Sequence, residues 1–209
     1  MKVFALLLSA ILVSACTSDP TQSGPTHPDP EKLRTLNEKT SQAEYEKVLE
    51  KYSAGDVEYN GFYNSFGFHV ALLNSELIEA NVKRQAFYYM WDQVRIEAER
   101  DKAFKKAAEA SDVFLSFYTP DKHDDNLTTD KSIWRVLLDF GGKRYVGKIK
   151  KLKNNLSELA TLYPFHTRWN TAYLVSFPVP VSQSEAQASK LTITGPLGSR
   201  SIDFAAKFE

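Results

Sequence analysis

Residue types able to act as nucleophiles, proton carriers or ligands are thinly spread along this chain of 209 residues. It has one cysteine, Cys16, and four histidines, His27, His69, His123 and His166. No serine stands in the G-x-S-x-G turn that lifts a hydrolase nucleophile out of a sheet. The H-E-x-x-H zinc pair, the phosphate-cradling glycine loop and the dinucleotide fingerprint are absent too. The densest oxygen-rich run is Asp121-Lys122-His123-Asp124-Asp125-Asn126. It lacks the alternating ligand spacing of a calcium loop, and Asp and Asn are the usual turn formers, so a solvated turn is expected. No metal, cofactor or catalytic residue is assigned.

Two further groups merit a binding reading. His166, Arg168 and Trp169 follow Pro164 closely enough to line one polar pocket, with Arg168 available to stack or to hold a carboxylate. Lys148, Lys150 and Lys151, flanked by Lys143, Arg144 and Lys153, form the one local excess of positive charge. Such a run can touch anionic headgroups, although lysines also serve to protect an exposed strand edge. Globally, 26 basic residues balance 26 acidic ones, which argues against a nucleic-acid partner.

The chemistry of Cys16 is set by what precedes it. Lys2, the apolar run Val3 to Val13, and the small residues Ser14 and Ala15 have the order of an export signal. The run falls short of the ~20 apolar residues that cross a bilayer as a helix. Val13-Ser14-Ala15-Cys16 resembles the lipobox of bacterial lipoproteins. That resemblance implies diacylglyceryl transfer to the Cys16 thiol, cleavage before it, and anchoring in a lipid bilayer. An ordinary signal peptide would cut the same bond, but would leave an exported chain with a single unpaired thiol. Thr17, where inner-membrane retention commonly has Asp, implies by the same resemblance an outer membrane in a Gram-negative cell, with the domain in the periplasm or at the surface.

The elements that would position these groups can be read from periodicity. Residues 1–15 are the signal peptide. Residues 16–40, punctuated by Pro20, Pro25, Pro28 and Pro30, read as the lipidated N-terminus and a disordered linker. Residues 41–209 form one domain. Ser41-Gln42-Ala43-Glu44 fits a capping box for a short helix over 41–54, with its apolar face on Tyr45, Val48, Leu49 and Tyr52 and a stop at Gly55. Alternation of Phe62, Phe66, Phe68, Val70 and Leu72 predicts a strand over 62–73.

With no Gly or Pro to break it, one long helix is expected over 76–110, capped by Ser75 and striped by Ala80, Phe87, Trp91, Val94 and Ala98. The rings Phe87, Tyr88, Tyr89 and Trp91 are expected in the core, with a ligand or partner surface as the alternative. The part over 111–207 is β-rich, with Gly141-Gly142 joining a strand over 133–140 to one over 143–149, Gly195-Pro196-Leu197-Gly198 as the last hairpin turn, and a short helix around Leu156. Seven candidate strands result. The fold class is α+β, mostly β, an immunoglobulin-like antiparallel sandwich with one long inserted helix and a short N-terminal one.

From Phe62 onward the chain resembles small envelope lipoproteins of predatory and related bacteria. The resemblance lies in Tyr63-Asn64-Ser65-Phe66, in the run Tyr163 to Trp169, and in Thr194 to Ser199. It implies an envelope lipoprotein and no particular activity. The leading expectation is a non-enzymatic binding or assembly module with an envelope protein partner. The alternatives are a cell-wall- or lipid-modifying enzyme and a small-ligand carrier. Two carboxylates in one pocket would favour the enzyme, and a deep apolar cavity the carrier.

Overall fold

The computed structural model describes residues 30–128 and 131–206, with side chains from Glu38 onward. The signal segment, Cys16 and the stretch up to residue 29 lie outside the described residues.

The chain opens with helix α1 (Pro30–Lys51) and strands β1 (Ser53–Asn60) and β2 (Tyr63–Leu73). Helices α2 (Ser75–Tyr89) and α3 (Gln93–Ala107) then lead to β3 (Ser111–Tyr118), β4 (Arg135–Phe140), β5 (Lys143–Val146) and β6 (Lys148–Lys151). Helix α4 (Leu156–Leu162), β7 (Thr171–Phe177), the one-turn helix α5 (Val181–Ser184), β8 (Ser189–Gly195) and β9 (Gly198–Phe204) complete the order. A five-stranded sheet runs β1-β2-β3-β7-β6 and a four-stranded sheet runs β5-β4-β8-β9. Every pairing among the described strands is antiparallel.

The class is thus α+β and dominated by two antiparallel sheets. They meet face to face over one core because alternate residues of each strand point the same way. Phe66, Phe68 and Val70 of β2, Val113, Leu115 and Phe117 of β3, and Tyr173, Val175 and Phe177 of β7 supply one side. Trp134, Val136, Leu138, Leu191 and Ile193 supply the other. The remaining face of the five-stranded sheet is covered as well. Tyr45 and Leu49 of α1, Tyr52 just after it, Leu77 of α2, and Leu159 and Tyr163 at α4 close over Ala71, Phe114 and Ala172. The molecule therefore has three layers, helices on sheet on sheet, and β3 is buried from Ser111 to Phe117.

Several expectations are corrected. Helix α1 starts at Pro30, a residue suited to a first helical turn, so it takes up residues 30–40 of the expected linker and places Ser41 mid-helix. Gly55 lies inside β1, a polar edge strand whose hold on the sheet is its backbone pairing with β2. Phe62 sits in the β1–β2 turn, fully exposed, and β2 begins after it. The single helix over 76–110 is two. Met90 takes the left-handed conformation (φ 51°) and ends α2, and the Asp92 side chain accepts from Arg95 N to start α3. Asn74, not Ser75, caps α2, through Leu77 N. The expected strand over 143–149 is split at Gly147, where the chain passes from one sheet to the other. With β1 added and this strand divided, seven candidates become nine strands.

Candidate binding site

The residues picked out by type are not brought together. His166 turns inward and is buried, while Trp169 keeps 65% of its surface exposed. Arg168 stands over the Trp169 ring at 5.8 Å. The tight turn in which His166 N donates to the Tyr163 carbonyl (2.8 Å) points the imidazole at the sheet. The pocket expected from His166, Arg168 and Trp169 is therefore not formed. Lys148, Lys150 and Lys151 lie exposed on β6, the edge strand of the five-stranded sheet. The neighbouring Arg144 is engaged by Asp139 at 2.8 and 2.9 Å. The lysines are placed where charge discourages edge-to-edge pairing.

Along the acidic run, side-chain oxygens are used locally. Asp121 Oδ1 accepts from His123 N (2.8 Å) and Asn126 Oδ1 from Thr128 N (3.1 Å), the turn chemistry of these residue types. Asp125 is reached by the Thr171 hydroxyl and by Lys122 Nζ at 3.5 Å. Among the described residues, no group of three or more His, Cys, Asp or Glu side chains is placed to hold a metal ion.

One nucleophile-base geometry was not visible in the sequence. Ser116 Oγ lies 2.8 Å from His166 Nδ1. Ser116 is 0% exposed, and the Phe114 ring stands edge-on to the imidazole at 5.9 Å. A hydroxyl with no accessible surface cannot meet a substrate, so the pair works as packing. Burial lowers the pKa of His166, and the same cause lowers that of His69, which stacks on Phe165 at 3.8 Å.

The arrangement that packing does not explain lies between α1 and α2. These helices run antiparallel, with Lys51 Nζ on Glu76 (3.0 Å) at one end and Tyr88 beside Glu38, Lys39 and Gln42 at the other. A cleft of about 310 Å³ between them is lined by Glu44, Tyr45, Val48, Ala80 and Arg84, with Glu76 and Glu79 on its rim. Arg84 is 2% exposed. Its Nη2 donates to the Tyr88 hydroxyl and its guanidinium lies 4.3 Å from that ring's centre. Its Nε and Nη1 have no hydrogen-bond partner among the described residues. Taking a cation out of water without a counter-charge costs several kcal/mol. Of the acids lining the cleft, Glu76 holds Lys51 and the Tyr52 hydroxyl, Glu79 holds Arg100 (2.7 Å) and Lys83 (3.8 Å), and Glu44 is exposed to solvent.

Beneath Arg84, Tyr45 Oη lies 2.7 Å from Asn81 Oδ1 and 2.6 Å from the Leu162 carbonyl. Burial raises the pKa of Tyr45 far above the phenol range, and Tyr163 raises it further, so this floor stays neutral. The signal that could have found Arg84 is its place four residues after Ala80 and three before Phe87, a charge on the apolar stripe itself.

A second cleft, of about 270 Å³, lies on the other side of α2 and is mostly apolar, with Ile78, Val82, Ala107, Leu162 and Val181 among its walls. No family model, curated protein or solved structure matches this chain.

Proposed function

We propose that the chain is the precursor of a lipid-anchored envelope lipoprotein whose domain is a non-enzymatic binding module, with the α1–α2 groove as its binding site. The anchor reading rests on Val13-Ser14-Ala15-Cys16 and places the domain at an outer membrane in a Gram-negative cell. Replacing Cys16 by Ser should abolish fatty-acid labelling and release the protein. Membrane retention without label overturns that part. The frame of two antiparallel sheets face to face supports reading the domain as an immunoglobulin-like sandwich, a frame suited to binding modules.

The observation that carries the binding reading is Arg84, a buried guanidinium with two N–H groups unpartnered among the described residues. Each of these N–H groups can donate to an oxygen of a carboxylate or phosphate group, and burial strengthens the attraction. The ligand class is a small molecule or chain end bearing one anionic group, entering as α1 parts from α2. Ligand-observed NMR with small carboxylates and phosphate monoesters tests this. Wild type should bind, and Arg84→Met, which keeps the stem and removes the charge, should lose binding while staying folded. Undiminished binding by that variant, or no bound probe, overturns the site.

The apolar cleft beside α2 favours one second reading, a carrier of a small apolar ligand. Val82→Trp would fill it. Displacement of a fluorescent apolar dye from wild type, and loss of dye binding in that variant, would favour the carrier.

A further inference from the structure

The elbow between α2 and α3 presents apolar side chains to solvent in a manner that neither core requires. Met90 is 83% and Val94 76% exposed, and Tyr88 and Tyr89 are also exposed. Tyr89 stacks on Trp91 at 5.9 Å, and Arg95 lies 5.0 Å from the Trp91 ring centre, so the rings are held as one cluster. Met90 is the only non-glycine residue at positive φ among the described residues. Glycine would close α2 with less strain. The methionine instead carries a long apolar side chain outward on a strained backbone.

The elbow also has a definite position relative to the proposed tether. Tyr88 shares a cleft with Glu38, Lys39 and Gln42 of α1. From Glu38 back to Pro30 the helix continues for about 12 Å at 1.5 Å per residue. From Cys16 to Pro30 the chain can span at most about 50 Å, by chain geometry alone. A lipid on Cys16 would thus tether the domain through α1, the helix whose residues 38–42 lie beside Tyr88. Charges around the elbow offset one another, Arg95 and Lys39 against Asp92 and Glu38. Attraction to an anionic surface is therefore not the driving force.

We propose that the α2–α3 elbow docks on the bilayer that holds Cys16, with Met90 and Val94 entering the interfacial layer and Tyr89, stacked on the half-buried Trp91, lying at headgroup level. Aromatic rings favour that depth because one part of each is apolar and another polar. This inference rests on the anchor reading. It predicts binding that needs neither anionic lipid nor low salt.

The test couples the chain from Cys16 onward, through its only thiol, to maleimide-bearing vesicles of neutral phosphatidylcholine, with and without brominated acyl chains. Tryptophan emission should drop with brominated lipid, at low and high salt alike. The drop should vanish in Trp91→Phe and in Met90→Asp/Val94→Asp, whose changes lie on exposed positions. Emission indifferent to bromination overturns the proposal. So does a drop that survives in Trp91→Phe and vanishes in Trp169→Phe, which would assign docking to the end that carries Trp169. Capture of an envelope protein by wild type that is lost in Met90→Asp/Val94→Asp, with no bromine effect, overturns it in favour of a protein partner. Chemical coupling makes the result independent of lipidation in cells, so failure of the anchor and failure of the elbow are read separately.

Discussion

Ser116 and His166 stand 50 residues apart in the chain and 2.8 Å apart in the fold. Their contact shows how residue type and residue role can part company. His166 was visible as a candidate because it sits among Arg168 and Trp169, but its partner was not, since a serine inside an apolar strand carries no sign of what faces it. Burial decides the outcome by keeping the ring neutral, and it does the same at His69. Both pKa values are lowered from the ordinary 6.5. As pH falls through 6.5, unfolded rings take up protons while folded rings do not, so acidification favours the unfolded chain. The stability these residues contribute is fully present above 6.5 and is lost as pH falls through their folded pKa values. The urea midpoint of wild type should therefore drop between about pH 7.5 and about pH 5, a window set by histidine. His69→Phe/His166→Asn should flatten that dependence. A wild-type midpoint equal at both pH values refutes the account.

At the scale of elements, legibility followed apolar periodicity and failed where backbone did the specifying. Phe66, Phe68, Val70 and Leu72 marked β2 and its inward face, and Tyr45 and Leu49 marked the buried face of α1. Edge strand β1 escaped notice because Ser53-Ala54-Gly55-Asp56 offers almost no apolar pattern and joins the sheet through main-chain pairing. The break at Met90 escaped because methionine is an ordinary helix former, and only Asp92, a good cap, hinted at it.

Gly147 carries no turn signal in the sequence, yet it is the corner at which the chain changes sheets. Its N–H donates to the Val136 carbonyl in one sheet (2.9 Å), and a Cβ there would lie 2.3 Å from Val175 Cγ1 of the other. Val175 is fully buried and has nowhere to move. Gly147→Ala should cost about 1–3 kcal/mol, the range for overpacking a core. Val175→Ala in the same chain should recover part of that loss, as contacting residues couple in a double-mutant cycle. Equal, additive costs in urea unfolding would show that the corner tolerates the added methyl group.

The whole molecule is organised by one sheet with two buried faces. The sequence pattern suited a sandwich, in which one face of each sheet meets water, and the short helix and long helix were placed beside it without a docking surface. The near-continuous run Val113-Phe114-Leu115-Ser116-Phe117 was the sign to the contrary, because a strand covered on both sides does not alternate. Strands β2, β3 and β7 give side chains to both cores, so neither layer can leave without uncovering the other's partners. Unfolding should then be a single transition, with helix content followed in the far-ultraviolet and aromatic packing in the near-ultraviolet falling together. Phe177→Ala, in the core between sheets, should cost about 3–5 kcal/mol, and Leu77→Ala, under the helices, about 2–5 kcal/mol. Each should shift both signals by the same amount, even though it lies on one side only. If Leu77→Ala moved the helix signal and left the near-ultraviolet signal in place, the helical layer would be a separate unit. The α1–α2 groove could then open without disturbing the sandwich beneath it.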